Sequence, residues 1–391
     1  MTNTHSVTLS SQALIGPNTL HDARPHTSLF RRFRLPIVKP FVAPFKFPAP
    51  GGGWCSNQRT EQGTPSLTPP RIIFFGTPEV AAQTLYGLLA TELNVVGVVS
   101  QPDRPRGRGR RLEPTPVHRA AEAAGLPLWQ PESCGAKDFI AELEALEPDL
   151  FAVVAYGQFI PKRLRRVPAL APLNLHYSLL PAYRGAAPVN WALVEGARRT
   201  GVSVQRVSRR LDAGDVLLRA ALEVPPEQTA PELFERLIPL GTSTLIAALR
   251  HAPRLLEAAH TQNEAAATRA PLLHRDHGGL DFRRPARELF DRWRGLLPWP
   301  GVFCRLEGER LKVHRCRVLD ETAESGEPGT VTAIEEMGWR VACGAGLLLI
   351  EEVQQAGKRR QDAAEFARGR RLSPPFVLES VEPRPKDAPR D

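Results

Sequence analysis

The chain has 391 residues, a formal net charge of +9 and a hydrophobic content of 42%. This length exceeds one typical hydrophobic core, so we expect two domains plus additional segments, and no apolar run approaches the roughly 18 residues of a membrane-spanning helix. These values predict a soluble protein with no membrane partner. The excess of Lys and Arg favours a polyanionic partner, although many basic proteins bind no nucleic acid.

Residues 1–70 differ in composition from the rest of the chain. They contain ten prolines, a run of three glycines, seven Lys or Arg and two acidic residues, without a sustained helical or strand period. This composition predicts a disordered extension. A basic, acid-poor N-terminal segment is typical of an organellar transit peptide, and a start site placed too far upstream explains it equally well.

Apolar segments and helical stretches alternate between residues 71 and 251. The predicted strands cover about residues 72–75, 94–99, 126–128, 150–154, 173–176, 202–207 and 216–222, and the predicted helices about residues 79–91, 116–124, 136–146 and 231–249. Strands that are apolar throughout are typical of a parallel sheet covered by helices on both faces. The fold class predicted for this domain is therefore α/β, with a Rossmann-like, parallel-rich sheet.

The C-terminal third follows a different pattern. Residues 252–280 have no clear period and predict an interdomain linker. After a predicted helix at about 285–296, short segments separated by turns cover residues 301–306, 310–319, 329–335, 338–343 and 347–353. They predict a small OB-fold-like β-barrel within a C-terminal domain at residues 281–380, followed by a frayed tail at residues 381–391.

A loop rich in arginine follows the second predicted strand. Residues 104–111 contain five arginines separated by glycine and proline, a pattern that indicates neither a buried segment nor a regular element. Open α/β sheets place their ligands at strand ends, and arginine binds phosphate with two hydrogen bonds. The loop therefore predicts phosphate contacts, with a solvated charge run as an equally good interpretation.

Asn174, His176 and Asp212 carry the chemistry that the sequence indicates most clearly. Asn174 and His176 are two residues apart in a predicted strand and therefore point to the same face, while Asp212 lies in the turn at residues 211–215. An amine that attacks a carbonyl builds negative charge on oxygen, which an amide N–H and an imidazolium stabilise. Asp212 would hold the imidazolium and relay the proton of the amine.

Covalent and metal-dependent mechanisms find less support in the sequence. Ser178 lacks the Gly-x-Ser-x-Gly frame of a nucleophilic elbow, and the cysteines are scattered and form no Cys-x-x-Cys pair. Such cysteines argue against a disulfide scaffold or a zinc site and favour a reducing compartment. His176 and Asp212 have no third ligand at a helpful spacing, so no metal is expected.

At these residues the chain resembles the methionyl-tRNA formyltransferase family, from about residue 71 to residue 378. The matching segments are Ile-Ile-Phe-Phe-Gly-Thr-Pro (72–78), Gln-Pro-Asp-Arg-Pro with Gly-Arg-Gly (101–109), Val-Val-Ala-Tyr-Gly-Gln (153–158), Asn-Leu-His-Tyr-Ser-Leu-Leu-Pro (174–181), Tyr-Arg-Gly-Ala-Ala-Pro (183–188), Leu-Asp-Ala-Gly-Asp (211–215), Pro-Trp-Pro-Gly (298–301) and Gly-Lys-Arg (357–359). The resemblance implies that 10-formyltetrahydrofolate donates a formyl group to the methionine amino group on initiator tRNA. It implies Asn174, His176 and Asp212 as catalytic residues.

The resemblance also implies two sets of binding residues. The folate would be bordered by Ala155, Tyr156, Gly157, Ser178, Leu179, Leu180, Pro181, Ser203 and Asp215. The tRNA would contact Arg104, Arg106, Arg108, Arg110 and Arg111 in the arginine loop, and Lys312, Lys358, Arg359 and Arg360 in the barrel. We expect a cytoplasmic monomer, or a mitochondrial or plastid protein if residues 1–70 are a transit peptide.

Three departures from the family pattern stand out. The interdomain segment has Arg269-Ala270-Pro271-Leu272-Leu273 where many members have Tyr-Ala-Pro-Lys-Ile, so a lysine is lost. Tyr177 stands where a small residue is more frequent, and residues 1–70 have no counterpart. None of the three removes a group that the chemistry requires.

Two other functions remain open at this stage. A formyltransferase acting on a small amine, such as a purine precursor or a sugar nucleotide, would keep the trio but need neither the arginine loop nor the barrel; a hydrolase that releases formate is a variant of it. A non-catalytic RNA-binding protein would explain the charge and leave the trio without a purpose.

Overall fold

The computed structural model describes residues 69–106, 111–324 and 326–388, all of which belong to the unit Pro65–Asp391. The predicted extension up to residue 68, and the predicted tRNA contacts Arg108 and Arg110, lie outside the described residues. Within the described part, no helix has the length and apolar composition needed to cross a membrane.

The first sheet of the described chain has seven strands in the order β5-β2-β1-β6-β7-β8-β9. Their bounds are β1 (Arg71–Gly76), β2 (Asn94–Val99), β5 (Leu128–Trp129), β6 (Leu150–Val154), β7 (Ala171–His176), β8 (Arg199–Arg206) and β9 (Val216–Glu223). The first five strands in this order are parallel to one another, whereas β8 and β9 run antiparallel to their neighbours. The predicted α/β fold with a parallel-rich sheet is confirmed.

Helices cover both faces of this sheet, which explains why its strands are apolar without alternation. In β1, Ile72 and Phe74 enter one core while Ile73 and Phe75 enter another on the opposite face. The helices of this part of the chain are α1 (Glu79–Leu89), α2 (Pro116–Ala123), α3 (Lys137–Glu144), α4 (Pro188–Val194), α5 (Ala230–Arg250) and α6 (Ala252–Glu257). Helices α1, α2 and α5 bury residues in the first core and α3 in the second. Because the five strands from β5 to β7 are parallel, their carboxyl ends lie along the same edge of the sheet.

Tyr177 belongs to the first of these cores rather than to the site. Its ring lies 6.2 Å from that of Phe234 on α5, and the side chain is 6% exposed. Because it follows His176 directly in the chain, its side chain points to the opposite face of the sheet. The larger residue at this position therefore packs beneath α5.

The second sheet is antiparallel and forms a small barrel, as predicted. Its strand order is β10-β11-β14-β13-β12-β16, with β15 paired to β14. The bounds are β10 (Val302–Leu306), β11 (Glu309–Asp320), β12 (Thr330–Glu335), β13 (Gly338–Ala342), β14 (Leu347–Gln355), β15 (Gln361–Asp362) and β16 (Phe376–Val377). Just after β16, Glu379 exchanges two backbone hydrogen bonds with Arg305 of β10, at 2.9 and 3.1 Å. This bridge joins the two ends of the strand order.

A helix that the sequence analysis missed fills the barrel core. Helix α8 (Ala363–Arg370) places Phe366 against Trp339, with ring centroids 5.7 Å apart, and Trp339 also contacts the ring of Phe376 at 5.4 Å. Both Trp339 and Phe366 are almost fully buried. Helix α8 and β16 are therefore held to the barrel by one aromatic cluster.

The core of the barrel extends into the first part of the chain. Trp191 of α4 is 3% exposed and packs in the same cluster as Leu289 and Phe290 of α7 (Ala286–Gly295). Asn190 donates a hydrogen bond to the carbonyl of Gly295 at 2.7 Å. Helices α4 and α7 are thus a shared wall between the two sheets.

Two segments are more ordered than the sequence predicts. The arginine loop forms a hairpin of β3 (Arg104–Arg106) and β4 (Arg111–Glu113), because Arg104 pairs with Glu113 and Arg106 with Arg111. The tail predicted to be frayed is bonded as far as residue 388: Val381 N–H donates to Leu280 at 2.7 Å. The hairpin is held by pairing between its own two strands, whereas the tail gains order from a partner far away in the chain, which local composition does not reveal.

Replacing Phe366 with Ala should destabilise the barrel by about 3–5 kcal/mol, the usual cost of removing a buried phenylalanine. The free energy of unfolding from urea titration provides the measurement. Arg368→Ala, an exposed position on the same helix, is the matched control and should change this value by less than about 0.5 kcal/mol. Equal effects of the two substitutions would contradict the packing role of Phe366.

Candidate active site

His176 lies at the end of β7 with both ring nitrogens engaged. Its side chain is 7% exposed. Nε2 is 2.9 Å from the carbonyl oxygen of Tyr183, and since a carbonyl only accepts, Nε2 carries the proton. Nδ1 lies 3.6 Å from Oδ2 of Asp212. The ring is therefore oriented by a backbone carbonyl on one side and faces a carboxylate on the other.

Asp212 is held by two fixed donors. Oδ1 accepts from the Gln205 side-chain amide at 3.0 Å, and Oδ2 accepts from the Gly185 backbone N–H at 3.0 Å. The residue has a φ of 50°, a left-handed conformation that Asp tolerates better than most side chains. In the same turn, a Cβ on Gly214 would lie 1.8 Å from the carbonyl oxygen of Arg206, so only glycine fits there. The carboxylate thus reaches His176 from a turn whose shape is strongly constrained.

Asn174 completes the predicted trio from the neighbouring position on the strand. It pairs in register with Gln205 of β8, and His176 pairs with Ser203. Its half-buried side chain lines a cleft together with Asp212 and has no hydrogen-bond partner among the residues that the structure describes. The amide is therefore free to donate to a group that enters the cleft.

The rim of this cleft is apolar, which the sequence analysis did not foresee. Phe159 is 60% exposed and Leu211 is 69% exposed, and both line the cleft beside Ile160 and Val207. Exposed large apolar side chains around a polar centre are typical of a small-molecule site. Phe159 directly follows the Ala-Tyr-Gly-Gln motif and Leu211 is the first residue of the Leu-Asp-Ala-Gly-Asp motif, and these positions were the available signal.

The segment from Ala155 to Gly157 directly follows strand β6. Ala155 and Gly157 have positive φ values of 46° and 91° and are exposed. Tyr156 turns inward, is 2% exposed and contacts the ring of Phe75 edge-on. Its carbonyl accepts from the Thr77 hydroxyl at 2.8 Å, which joins the ends of β1 and β6. Burial raises the pKa of the Tyr156 phenol above its ordinary value.

Ser178 and Ser203 are completely buried and connect loop to strand. The Ser203 hydroxyl donates to the Ser178 carbonyl at 2.7 Å and accepts from the Leu180 N–H at 3.0 Å. The Ser178 hydroxyl donates to the Ala182 carbonyl at 2.6 Å. Leu179 and Pro181 are half-buried in the same loop. These contacts fix the loop that leads from His176 to Tyr183.

The remaining residue predicted at the folate site lies on the far side of the turn. Asp215 is half-buried, and its Oδ1 accepts from the Thr261 hydroxyl at 2.9 Å. That contact comes from the segment predicted as a linker. The turn at residues 211–215 is therefore supported from outside the sheet.

The base of the arginine hairpin is anchored by Asp103. Its carboxylate accepts from the Thr115 N–H at 3.0 Å and from Gln130 at 2.8 Å, and lies 2.9 Å from Nδ1 of His118. Burial raises the pKa of Asp103, but the bonds from Gln130, Thr115 and His118 outweigh it, so the pKa lies below its ordinary value. The hairpin therefore rises from a fixed anionic anchor.

The hairpin arginines differ in their surroundings. The exposed Arg104 makes an ion pair with Glu132 at 2.7 Å, and Arg111 is exposed on β4. Arg106 lies in β3, while Arg108 and Arg110 fall in the segment between the two strands that the structure does not describe. The described part therefore places the ascending and descending arms of the predicted basic loop side by side.

The predicted basic residues of the barrel lie on β11 and in the turn between β14 and β15. Lys312 is exposed on β11 and pairs in register with Gln354, whose amide donates to the carbonyl of Lys358 at 2.8 Å. Arg359 makes an ion pair with Glu365 at 2.9 Å, and Arg360 pairs with Glu352. The turn that carries Lys358 is therefore bonded to the strand residue opposite Lys312, whereas Arg359 and Arg360 are engaged by carboxylates.

The cysteines of the described chain are buried, at positions 134, 304, 316 and 343. Burial raises the pKa of Cys304 and Cys343 to about 12, so both are thiols near neutral pH. In the same part of the chain, no group of three or more His, Cys, Asp or Glu side chains is arranged to hold a metal ion.

Comparisons with known proteins show the family to which the two domains are similar. A family model described as formyl transferase matches residues 70–249, and one described as formyl transferase, C-terminal domain, matches residues 273–371. The chain is 44% identical to the methionyl-tRNA formyltransferase of Acidobacterium capsulatum over 306 residues, which cover 78% of this chain and 98% of that one. A second relative with this name, from Desulfotalea psychrophila, is 41% identical over 311 residues, covering 80% and 96% of the two chains.

A solved structure shares the fold at low sequence identity. HypX from Aquifex aeolicus, crystallised in complex with tetrahydrofolic acid, is 17% identical with a TM-score of 0.52. The match covers 77% of this chain and 47% of that one, so the chain spans about half the length of HypX. The likeness concerns the fold alone.

Asp103→Asn should lower stability at neutral pH and lose that effect in acid. Because the folded-state pKa of Asp103 is depressed, its stabilisation is present above the unfolded value of about 3.9 and is lost as the pH falls through the folded value. The difference in free energy of unfolding between wild type and variant should therefore be larger at about pH 6 than at about pH 3. Glu122→Gln, at an exposed site on α2, serves as the control, and a pH-independent difference for Asp103→Asn would refute the anchor.

Proposed function

The chain belongs to the methionyl-tRNA formyltransferase family, and from this premise we propose that it transfers the formyl group of 10-formyltetrahydrofolate to the amino group of methionine on initiator tRNA. The observation that supports the chemistry is the cleft in which Asn174 and Asp212 meet beside the buried His176. An amide donor, an imidazole and a fixed carboxylate are the groups that direct acyl transfer to an amine requires.

Asn174 and His176 act on the oxygen of the formyl group. When the amine nitrogen attacks the formyl carbon, the carbonyl electrons move to oxygen, and the free amide of Asn174 donates a hydrogen bond to that oxyanion. His176 lies beside this centre with Asp212 at 3.6 Å, and in its protonated form it adds positive charge near the oxyanion. The tetrahedral intermediate is therefore the species to which the site is complementary.

Asp212 accepts the proton that the attacking amine releases. The amine must lose a proton as its bond to carbon forms, and Asp212 receives it directly or through a water molecule. The intermediate collapses with cleavage of the bond between the carbonyl carbon and the donor nitrogen, which takes up a proton as tetrahydrofolate leaves. Two fixed donors to Asp212 keep the carboxylate in place during this exchange.

The donor occupies the cleft with the apolar rim. Phe159 and Leu211 supply contact surface for a flat heterocycle, and the exposed backbone at Ala155 and Gly157 borders it. Because Ser178, Leu180 and Ser203 are buried and bonded to one another, we assign them the positioning of the loop at the folate site.

The basic hairpin and the barrel select a tRNA-borne amine. Arginines on both arms of the hairpin can bind phosphate with two hydrogen bonds, and Lys312 and Lys358 form a second basic patch on the barrel. A small-amine formyltransferase, the alternative, would use the same cleft without these appendages. We propose a cytoplasmic monomer, with a mitochondrial or plastid location as the alternative if residues 1–70 are a transit peptide.

Formyl transfer to charged initiator tRNA, with a small amine as the second acceptor, tests this function. His176→Ala should lower kcat by about two to four orders of magnitude, the usual contribution of a general acid–base group. His251→Ala, an exposed histidine at the end of α5, should leave turnover within about twofold. Unchanged turnover in His176→Ala would refute the assignment, and a preference for the small amine would favour the alternative.

Basic residues that bind phosphate should be visible in the salt dependence of tRNA use. Lys312→Ala combined with Lys358→Ala should weaken tRNA binding and make the log–log dependence on salt shallower by about one unit for each lysine that neutralises a phosphate. Lys137→Ala, at an exposed site on α3, is the matched control. Arg108→Ala should likewise weaken use of tRNA more than use of a small amine, and equal effects on both acceptors would contradict a role of the hairpin in acceptor choice.

A further inference from the structure

The segment predicted as a linker runs across the two loops that hold His176. We call residues 260–270 the strap. At one end, His260 exchanges two backbone hydrogen bonds with Val216, at 2.9 and 3.0 Å. At the other end, Ala270 N–H donates to the Arg184 carbonyl at 2.7 Å. The strap is therefore bonded to β9, next to the Asp212 turn, and to the loop that contains Tyr183.

Gln262 is the buried centre of the strap. It is 5% exposed although it belongs to an irregular segment. Its Nε2 donates to the carbonyls of Gly214 at 2.7 Å and Asp212 at 2.9 Å. Its Oε1 accepts from Nε and Nη2 of Arg184, at 3.0 and 2.9 Å. Both ends of one side-chain amide are thus used, and each end binds a different loop.

Arg184 is fixed from the other direction as well. Its guanidinium makes two hydrogen bonds of 3.0 Å to Glu264, which lies on the strap two residues beyond Gln262. Close contact of the loop with the strap also depends on Gly185, which has a φ of +128° and lies where a Cβ would be 2.5 Å from the Ala270 carbonyl oxygen. The next backbone N–H in the chain, that of Gly185, is the donor to Asp212.

The two loops joined by Gln262 are the two that orient the imidazole. Tyr183, the residue before Arg184, supplies the carbonyl at Nε2 of His176, and Asp212 supplies the carboxylate at Nδ1. The side chain of Gln262 spans from Arg184 to the Asp212 backbone. The separation of the two partners of His176 is therefore set in part by a residue outside the sheet.

We propose that Gln262 is a positioning residue of the formyl-transfer site, which holds the Asp212 turn and the Tyr183 loop at the separation that orients His176. The role in turnover rests on the proposed function. Gln262 bonds to the backbone carbonyl of Asp212 rather than to its carboxylate, so it acts through geometry alone. Since a shift of about 1 Å in a reacting group can lower a rate by about a hundredfold, loss of the amide should affect kcat more than KM.

Gln262→Met tests this role, because methionine fills a similar volume without hydrogen bonding. We expect kcat to fall by about 10- to 100-fold while KM for charged initiator tRNA stays within about twofold. Asn263→Ala removes an exposed amide from the adjacent strap position and should retain turnover within about twofold. A Gln262→Met enzyme with unchanged kcat, or one that changes only KM, would overturn the proposal.

A second readout separates this proposal from the assignment of the acceptor. The imidazole signals of His176, identified in NMR spectra by their loss in His176→Gln, should move in Gln262→Met and stay in place in Asn263→Ala. If they do not move in Gln262→Met, positioning is refuted whatever the activity. If they move and the wild-type enzyme does not formylate tRNA, positioning stands and the acceptor is wrong. If Gln262→Met does not fold, Arg184→Lys is the second variant, because it keeps the charge but loses the two hydrogen bonds to Gln262. The imidazole signals of His176 should move in this variant as well.

Discussion

The contact between the Asp212 carboxylate and the His176 imidazole is the constraint around which this structure is arranged. His176 comes from the end of β7 and Asp212 from the turn between β8 and β9, and neither could hold the other in place alone. Asp212 adopts a left-handed backbone conformation and accepts from Gly185 and Gln205, while His176 is fixed by the Tyr183 carbonyl. The His176 ring faces the Asp212 carboxylate at 3.6 Å, and this contact sets the orientation of the imidazole on which the proposed mechanism depends.

The sheet makes this contact possible because its parallel strands end at one edge. Apolar residues on both faces of β1 and β6 fix those strands between helices, so that the polar segments following them share one side of the domain. The antiparallel strand β8 then returns next to β7 and places Gln205 opposite Asn174. One strand carries Asn174 and His176, for which we propose roles in the reaction, and its neighbour carries Gln205, which holds the Asp212 carboxylate.

Much of this could be predicted from local patterns. Uniformly apolar strands identified the first sheet, and the two-residue spacing of Asn174 and His176 identified one face of β7. The spacing could not reveal Gln205 or Gln262, because these residues reach Asp212 through register and a crossing segment 50 residues beyond the turn. Helix α8 and the ordered tail were missed for the same reason. Each is stabilised by partners far away in the chain, whereas composition reports only on neighbours.

The shared wall of α4 and α7 bears on how this protein could be recombined. Trp191 precedes the barrel by more than a hundred residues, yet it packs in the barrel core and donates to the Pro271 carbonyl at 2.8 Å. In a chimera joined between the two sheets, the barrel of this protein would lose Trp191 and keep a cavity of that size. Conversely, Trp191 would face a foreign barrel whose core is not shaped to accommodate it. Loss of a buried aromatic of this size costs about 3–5 kcal/mol, a large share of the stability of an ordinary domain. Although the barrel is separate from α4 in sequence, a barrel that is moved into another protein must therefore be moved together with α4.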